Sequence, residues 1–395
     1  MKRLSLLLCL VVAPSLTAQR DLEPPKRPMI SGADTNDARA YYEWALSKLV
    51  RQPKDAAAGF YWAARLSPIM AEAFYGRRVA LLLTDGNRLR GYWTGDKNTL
   101  RRDDIKRIDS LYLHALMLNP FLYERLDREL QDAIIRDIAT RASGNGSSME
   151  LEFAIREYLR TAGPGERAFR AYTGGQFQDA LKYYAVAIED ARYKHYYRSM
   201  RGRLFFQIGE ADSAQVELSR AVDEMRKRDK KDLVYVYESK ALLEHSIGMA
   251  WERLSEYDKA REAYGRALQE DLGYTPAHVR LAYLAWGFAD TAAALSEFDL
   301  AVQVRPDDEA LRFQYGYMLV EAGKLDDAQT HLRKSIEINP VFSLPYFALA
   351  RAYERQGKAS DAVTQYRAFL ALSSQQDARR AEAQKAVQSL ASKSP

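Results

Sequence analysis

The side chains able to do covalent or metal chemistry in this chain are few and scattered. Its five histidines, His114, His195, His245, His278 and His331, include no pair at the spacing that sets two imidazoles on one helix face, as a helical zinc site needs. The one cysteine, Cys9, falls in an apolar run at the start, so no thiol follows it. No glycine-rich phosphate loop and no nucleophile elbow occurs. Acidic residues are plentiful, but at helical spacing they read as solvent faces or as i,i+4 partners of Lys and Arg. The expectation is no catalytic residue, no metal and no cofactor.

Two stretches offer looser binding chemistry. Arg88, Arg90, Tyr92, Trp93 and Lys97 crowd an insert near 84–107, which forms either a contact tip or a loop tucked onto the body. The run Arg226, Lys227, Arg228, Asp229, Lys230, Lys231 reads as a solvated helix end rather than an anion site. A net charge of +5 is mild for 395 residues, and no basic stripe is interleaved with aromatics, so nucleic acid is not an expected partner.

The elements that must position any binding residues are set by a repeat. Ala260, Ala294, Ala328 and Ala362 are each 34 residues apart. In step with them run Tyr264, Phe298, Leu332 and Tyr366, then Ala267, Ala301, Ser335 and Phe369, and upstream Gly248, Ala282, Gly316 and Ala350. Small residues are needed where two helices cross closely, and the large residue four positions on fills the space beside the crossing. Pro306 and Pro340 close two of the copies, because proline cannot continue a helix interior.

A 34-residue period with this small–large–small–proline signature resembles the tetratricopeptide repeat (TPR), two antiparallel helices per unit. The resemblance implies an all-α fold, a right-handed α-solenoid with a C-terminal capping helix. Six units are expected over 161–374: 161–194, 195–228, 241–274, 275–308, 309–342 and 343–374. Residues 35–160 read as a degenerate version of the same pattern, in which Ala56, Phe60 and Ala63 hold the small–large–small positions. A turn near Arg51 lacks the glycine that Gly209, Gly323 and Gly357 supply in later units. A helix is expected over 121–141, and an apolar stripe through Ala383, Ala386, Val387 and Leu390 marks the cap.

In TPR proteins the second, fifth, ninth, twelfth and thirteenth residues of each unit line a concave groove. Carried over, this gives Tyr196, Arg203 and Phe206; His245, Met249, Glu252 and Arg253; Val279, Tyr283 and Trp286; Phe313, Tyr317 and Val320; and Leu344, Phe347, Arg351, Glu354 and Arg355. Relatives that clamp a C-terminal carboxylate use Lys, Asn and Arg here, whereas this set is mostly apolar and aromatic. It suits an extended peptide or an amphipathic helix of a protein partner, unless its aromatics pack between helices or the N-terminal helices fill the groove. The implied role is a non-enzymatic scaffold. The alternatives are a structural subunit of an envelope or secretion complex that binds through its outer face, and an enzyme or carbohydrate-active protein on a helical-repeat frame.

The N-terminus reads as an export signal over 1–18. Lys2 and Arg3 precede the apolar run from Leu4 to Val12, and Ala18 offers a small residue before Gln19. The run is too short for a permanent span. A chain without thiols after this point suits an oxidising compartment, so periplasm, cell surface or secretion is expected. Residues 19–34, with Pro24, Pro25 and Pro28, read as a flexible lead-in.

Overall fold

The computed structural model describes residues 24–86, 89, 102–142, 148–192, 194–228 and 239–391. The segment expected to be an export signal, the aromatic insert around Tyr92 and Trp93, and the end of the basic run from Asp229 lie outside the described residues. Every regular element among the described residues is a helix. The first group is α1 (Ala38–Lys48), α2 (Pro53–Leu66), α3 (Ala71–Leu83), α4 (Arg102–Leu118), α5 (Asp127–Ala142) and α6 (Ser148–Thr161). The repeat units follow as pairs: α7 (Pro164–Thr173) with α8 (Phe177–Asp190), α9 (Lys194–Gln207) with α10 (Ala211–Arg228), α11 (Lys240–Arg253) with α12 (Tyr257–Glu270). They continue as α13 (Thr275–Gly287) with α14 (Thr291–Val304), α15 (Glu309–Glu321) with α16 (Leu325–Ile338), and α17 (Leu344–Arg355) with α18 (Ala359–Leu372). The chain closes on α19 (Arg379–Ala391). No helix among the described residues is long and apolar enough to cross a membrane.

The repeat columns meet each other. A methyl placed on Gly248 of α11 would lie 2.4 Å from the ring of Tyr264 on α12, and one on Gly316 of α15 would lie 2.7 Å from Leu332 on α16. The small residue of the first helix thus admits the large residue of the second, and Ala260, Ala294, Ala328 and Ala362 are fully buried beside them. Phe369, the exception to the small column, packs its ring on Phe347 at 5.1 Å in the last unit. Ala383 and Ala386 of α19 then cover that unit's stacking face.

The turn inside each unit places one residue in the left-handed region. Gly175, Gly209, Gly323 and Gly357 take it freely, while Ser255 and Ala289 take it with φ of 61° and 60°. In the degenerate α1–α2 pair Arg51 has no such conformation.

The first helices fold back along the repeat array, and the segment before α1 meets the turn after α18. Asn36 Nδ2 donates to the Ala371 carbonyl at 2.9 Å, and the Gln375 amide donates to Asp34 Oδ2 at 2.6 Å. Asn339 Nδ2 donates to the Arg65 carbonyl at 2.8 Å, and Arg305 reaches the His114 ring nitrogen at 3.4 Å. These contacts run in opposite directions along the two parts of the chain, so α1–α4 lie antiparallel to the array along the loops that join its units.

Three expectations need correction. The lead-in is not loose where it is described: Trp62 Nε1 donates to the Pro25 carbonyl at 2.9 Å, and the Arg27 guanidinium stacks 5.0 Å over the Trp62 ring. The helix expected from residue 121 starts at Asp127, because the carbonyls of 120–122 are taken by side chains of the array instead of by helical amides. The basic run also differs from a solvated end. Its Arg226 bridges Glu244 and Glu270 at 2.8 and 2.9 Å, which ties α10 to α11 and α12.

Candidate functional site

The first helix of each unit, α7, α9, α11, α13, α15 and α17, carries the groove positions. The structure divides them into a covered half on α7, α9 and α11 and an open half on α13, α15 and α17.

In the covered half the groove grips the chain's own non-helical segment 119–126. Arg203 of α9 donates from Nε to the Pro120 carbonyl at 2.9 Å and from Nη2 to the Leu122 carbonyl at 3.2 Å. Its guanidinium also pairs with Glu124 at 3.2 Å. Gln207 Nε2 donates to the Phe121 carbonyl at 2.8 Å, and Tyr172 OH donates to the Leu122 carbonyl at 3.3 Å. The Phe121 ring stacks on Phe206 with centroids 3.6 Å apart, and the Arg253 guanidinium lies 4.9 Å from the Phe206 ring centre. Glu124 keeps 2% of its surface and also accepts from Tyr112 OH.

Several residues expected on an open surface are therefore packing residues. Arg203 and Phe206 are covered by segment 119–126. His245 is buried between Tyr264 and Tyr274, at 5.5 and 5.6 Å, with neither ring nitrogen hydrogen-bonded among the described residues. Burial, aided by the Arg280 charge, pushes its pKa down to about 3. Phe347 is buried against Tyr366 and Phe369. Met249, Val279 and Trp286 are partly buried against the cores on either side. Tyr196 stays exposed at the mouth of a pocket between the array and the N-terminal helices.

The open half is brought together by Tyr283, Phe313, Tyr317 and Arg351. Tyr283 on α13 is 44% exposed and Tyr317 on α15 is 41% exposed, although each rests on an aromatic base. Tyr283 packs its edge on the buried Phe298 at 5.6 Å, and Tyr317 lies beside Phe313 at 6.2 Å. Phe313 is itself held on Phe342 at 5.2 Å. The Arg351 guanidinium of α17 stands 6.0 Å from the Tyr317 ring and pairs with Glu321 at 3.0 Å. Two residues absent from the expected set complete this surface. Arg280 binds Glu252 from Nε at 3.1 Å, and Glu321 holds both Arg351 and Arg355, the latter at 3.2 Å. Glu321 occupies the thirteenth position of its unit, so the repeat spacing could have found it. Arg280 sits one residue past a groove position, and the spacing gives no sign of it.

Chemically, the open half offers two aromatic faces, each able to cover an apolar side chain. It also offers guanidinium groups, a type of donor that binds carbonyl and carboxylate oxygens. No three His, Cys, Asp or Glu side chains among the described residues come together as a metal set.

Comparison with known proteins bears on the repeat. Residues 310–342, which are α15 and α16 with their flanks, match the family model of the tetratricopeptide repeat. The TPR repeat-containing protein YpiA of Bacillus subtilis is 23% identical over 130 residues, which is 32% of this chain and 30% of that protein. The chain thus matches less than a third of that relative's length. The solved structure of YrrB, described as a TPR protein with an unusual peptide-binding site, is 18% identical. It covers 52% of this chain and 99% of its own with a TM-score of 0.41. The C-terminal part of a TPR repeat-containing protein from Cytophaga hutchinsonii is 14% identical and covers 52% of this chain and 77% of its own, with a TM-score of 0.43. The matched unit is one of a series whose neighbours reproduce its helix pair, its period and its small-residue crossings, so the chain carries a tetratricopeptide repeat within an array of like helix pairs.

Proposed function

We propose that the chain is an exported, non-catalytic scaffold that holds an extended peptide of a protein partner along the open half of its groove. The observation that carries this reading is the covered half. There the groove holds 120–124 by donating to successive backbone carbonyls from Arg203 and Gln207, and it anchors one aromatic ring, Phe121, on Phe206. The open half supplies the same kinds of group two to four units further on, in Arg280, Arg351 and Arg355 beside Tyr283 and Tyr317. Extended peptides are recognised in this way, with main-chain hydrogen bonds giving affinity and side-chain anchors giving selectivity. The partner segment has one or two aromatic or aliphatic anchors, with carbonyl or carboxylate oxygens between them. Export is supported by the basic–apolar–small order of residues 2–18 and by the lack of cysteine after Cys9.

The test is selection of peptides from a random display library on the full chain, followed by affinity measurement on the Tyr283→Ala/Tyr317→Ala variant. Selected peptides should share a spaced pair of apolar anchors and lose about 30-fold in affinity on the variant, the effect of removing a hot spot worth about 2 kcal/mol. Peptides that bind the folded variant as tightly as the parent would move the interaction off this surface.

A further inference from the structure

The covered half of the groove leaves a pocket of about 650 Å³ between α7, α9 and α11 on one side and α3, α4 and α5 on the other. This volume falls within the range of small-molecule sites, which runs from ~300 to ~1,000 Å³. Its walls differ in character. Phe169, Met200, Met225, Leu242 and Leu243 make an apolar floor on the array, and polar groups come from both sides, among them Asp127 and Gln131 from the N-terminal helices and Glu166 and Arg203 from the array.

The charges on those walls decide what can enter. Each guanidinium already pairs with a carboxylate, Arg78 with Asp127 at 3.1 Å and Arg203 with Glu124 at 3.2 Å. An anion would have to compete with these buried carboxylates. The third carboxylate on the wall, Glu166 at the start of α7, makes no ion pair among the described residues. Gln131 of α5 is 5% exposed, lines the same pocket, and has its side-chain oxygen without a hydrogen-bond partner. An unsatisfied buried acceptor favours a ligand that brings N–H donors. Burial also holds the Asp127 carboxyl above the usual carboxylate range, against the opposing pull of Arg78, so a further positive charge would be welcome there. Tyr196 and Tyr197, in edge contact at 5.2 Å, flank the pocket with their rings, and aromatic faces attract cations.

We propose that this pocket binds a small organic amine, with its ammonium between Glu166 and Gln131 and its apolar body on Phe169, Met200 and Leu243. The residues differ from those of the open groove, and the inference stands apart from the peptide-binding reading. The ammonium could equally be presented by a lysine side chain of another protein, and the experiment separates the two.

The test is calorimetric titration of the full chain with phenethylamine, with phenethyl alcohol and hydrocinnamate as probes of the same body and different head, and with an end-blocked alanine–lysine–alanine peptide. Phenethylamine should bind at one site, more tightly than each of the others. Glu166→Gln, which lies in a partly exposed first turn, should weaken it about tenfold, and Gln131→Leu should weaken it further. Tyr283→Ala/Tyr317→Ala should leave it unchanged. The proposal is overturned if hydrocinnamate binds as tightly as the amine, if Glu166→Gln binds like the parent, if the lysine peptide is preferred, or if the amine shows no saturable binding below ~1 mM.

Discussion

Arg203 is the pin that holds the folded-back segment in the groove, and its removal has a cost that can be worked from its partners. In Arg203→Met the side chain keeps its apolar stem but loses its donors to two carbonyls and its pairing with Glu124. Glu124 has 2% of its surface exposed, so its charge cannot be recovered by water. Breaking one side of a buried pair costs about 3–5 kcal/mol, and the orphaned Pro120 carbonyl adds about 1 kcal/mol, while the Leu122 carbonyl keeps Tyr172 OH as a donor. The single variant should therefore lose roughly 4–6 kcal/mol. Adding Glu124→Gln removes the stranded charge while keeping the acceptor for Tyr112 OH, so the double variant should recover about 2–3 kcal/mol of that loss. The assay is urea unfolding followed by far-ultraviolet circular dichroism for the parent, both single variants and the double. Hydrogen exchange over 119–126 would report release of the segment directly. Equal stability of Arg203→Met and the double variant, within ~0.5 kcal/mol, would refute the claim that the buried pair is what Arg203 secures.

Other expectations follow from particular contacts. Native His245 refuses a proton until about pH 3, while the unfolded chain accepts one below about 6.5, so stability falls as pH drops through that window by up to ~1.4 kcal/mol per unit. His245→Leu should flatten that acid loss and gain about 1 kcal/mol at pH 7 by removing unpartnered polar atoms, as measured by denaturation at several pH values. Gly248→Ala should cost about 1–3 kcal/mol, since the new methyl would stand 2.4 Å from a fully buried tyrosine ring. Ser255→Gly and Ala289→Gly should each gain about 0.5–1 kcal/mol, because both residues hold a positive φ that glycine adopts without strain. If the chain is exported, N-terminal sequencing of protein from the envelope fraction should begin at Gln19, whereas retention of Met1 in a cytosolic pool would remove that part of the reading.

The repeat itself was legible because it is local. Ala260, Tyr264 and Gly248 fix one helix crossing within 17 positions, and the same spacing recurs three times. The left-handed turns were half legible. Glycine announces four of them, but Ser255 and Ala289 occupy the same conformation with no sign in their residue type. The groove was legible only as a face. Its positions are set by the period, yet Arg203 meets Pro120 across 83 residues of chain, and nothing in the period says that a distant segment will lie on that face. Tyr283 and Tyr317 stay open because the folded-back helices turn onto the loops that join the units, where Arg65 meets Asn339 and His114 meets Arg305. The helix expected from residue 121 starts late for the same reason. Segment 119–126 has its carbonyls satisfied by Arg203 and Gln207, and so has no need of a helical ladder.

The central claim is that the partner lies in the open half of the groove rather than on the outer face. Site-specific photo-crosslinking in the producing cell tests it most directly, with a photoreactive amino acid substituted at Tyr283 or Tyr317, and at Leu300 or Val304, which are exposed on α14, the second helix of its unit. The account predicts a discrete protein adduct from positions 283 and 317 that positions 300 and 304 do not give. Adducts from 300 and 304 alone would contradict it and would favour a structural subunit that binds through its outer face.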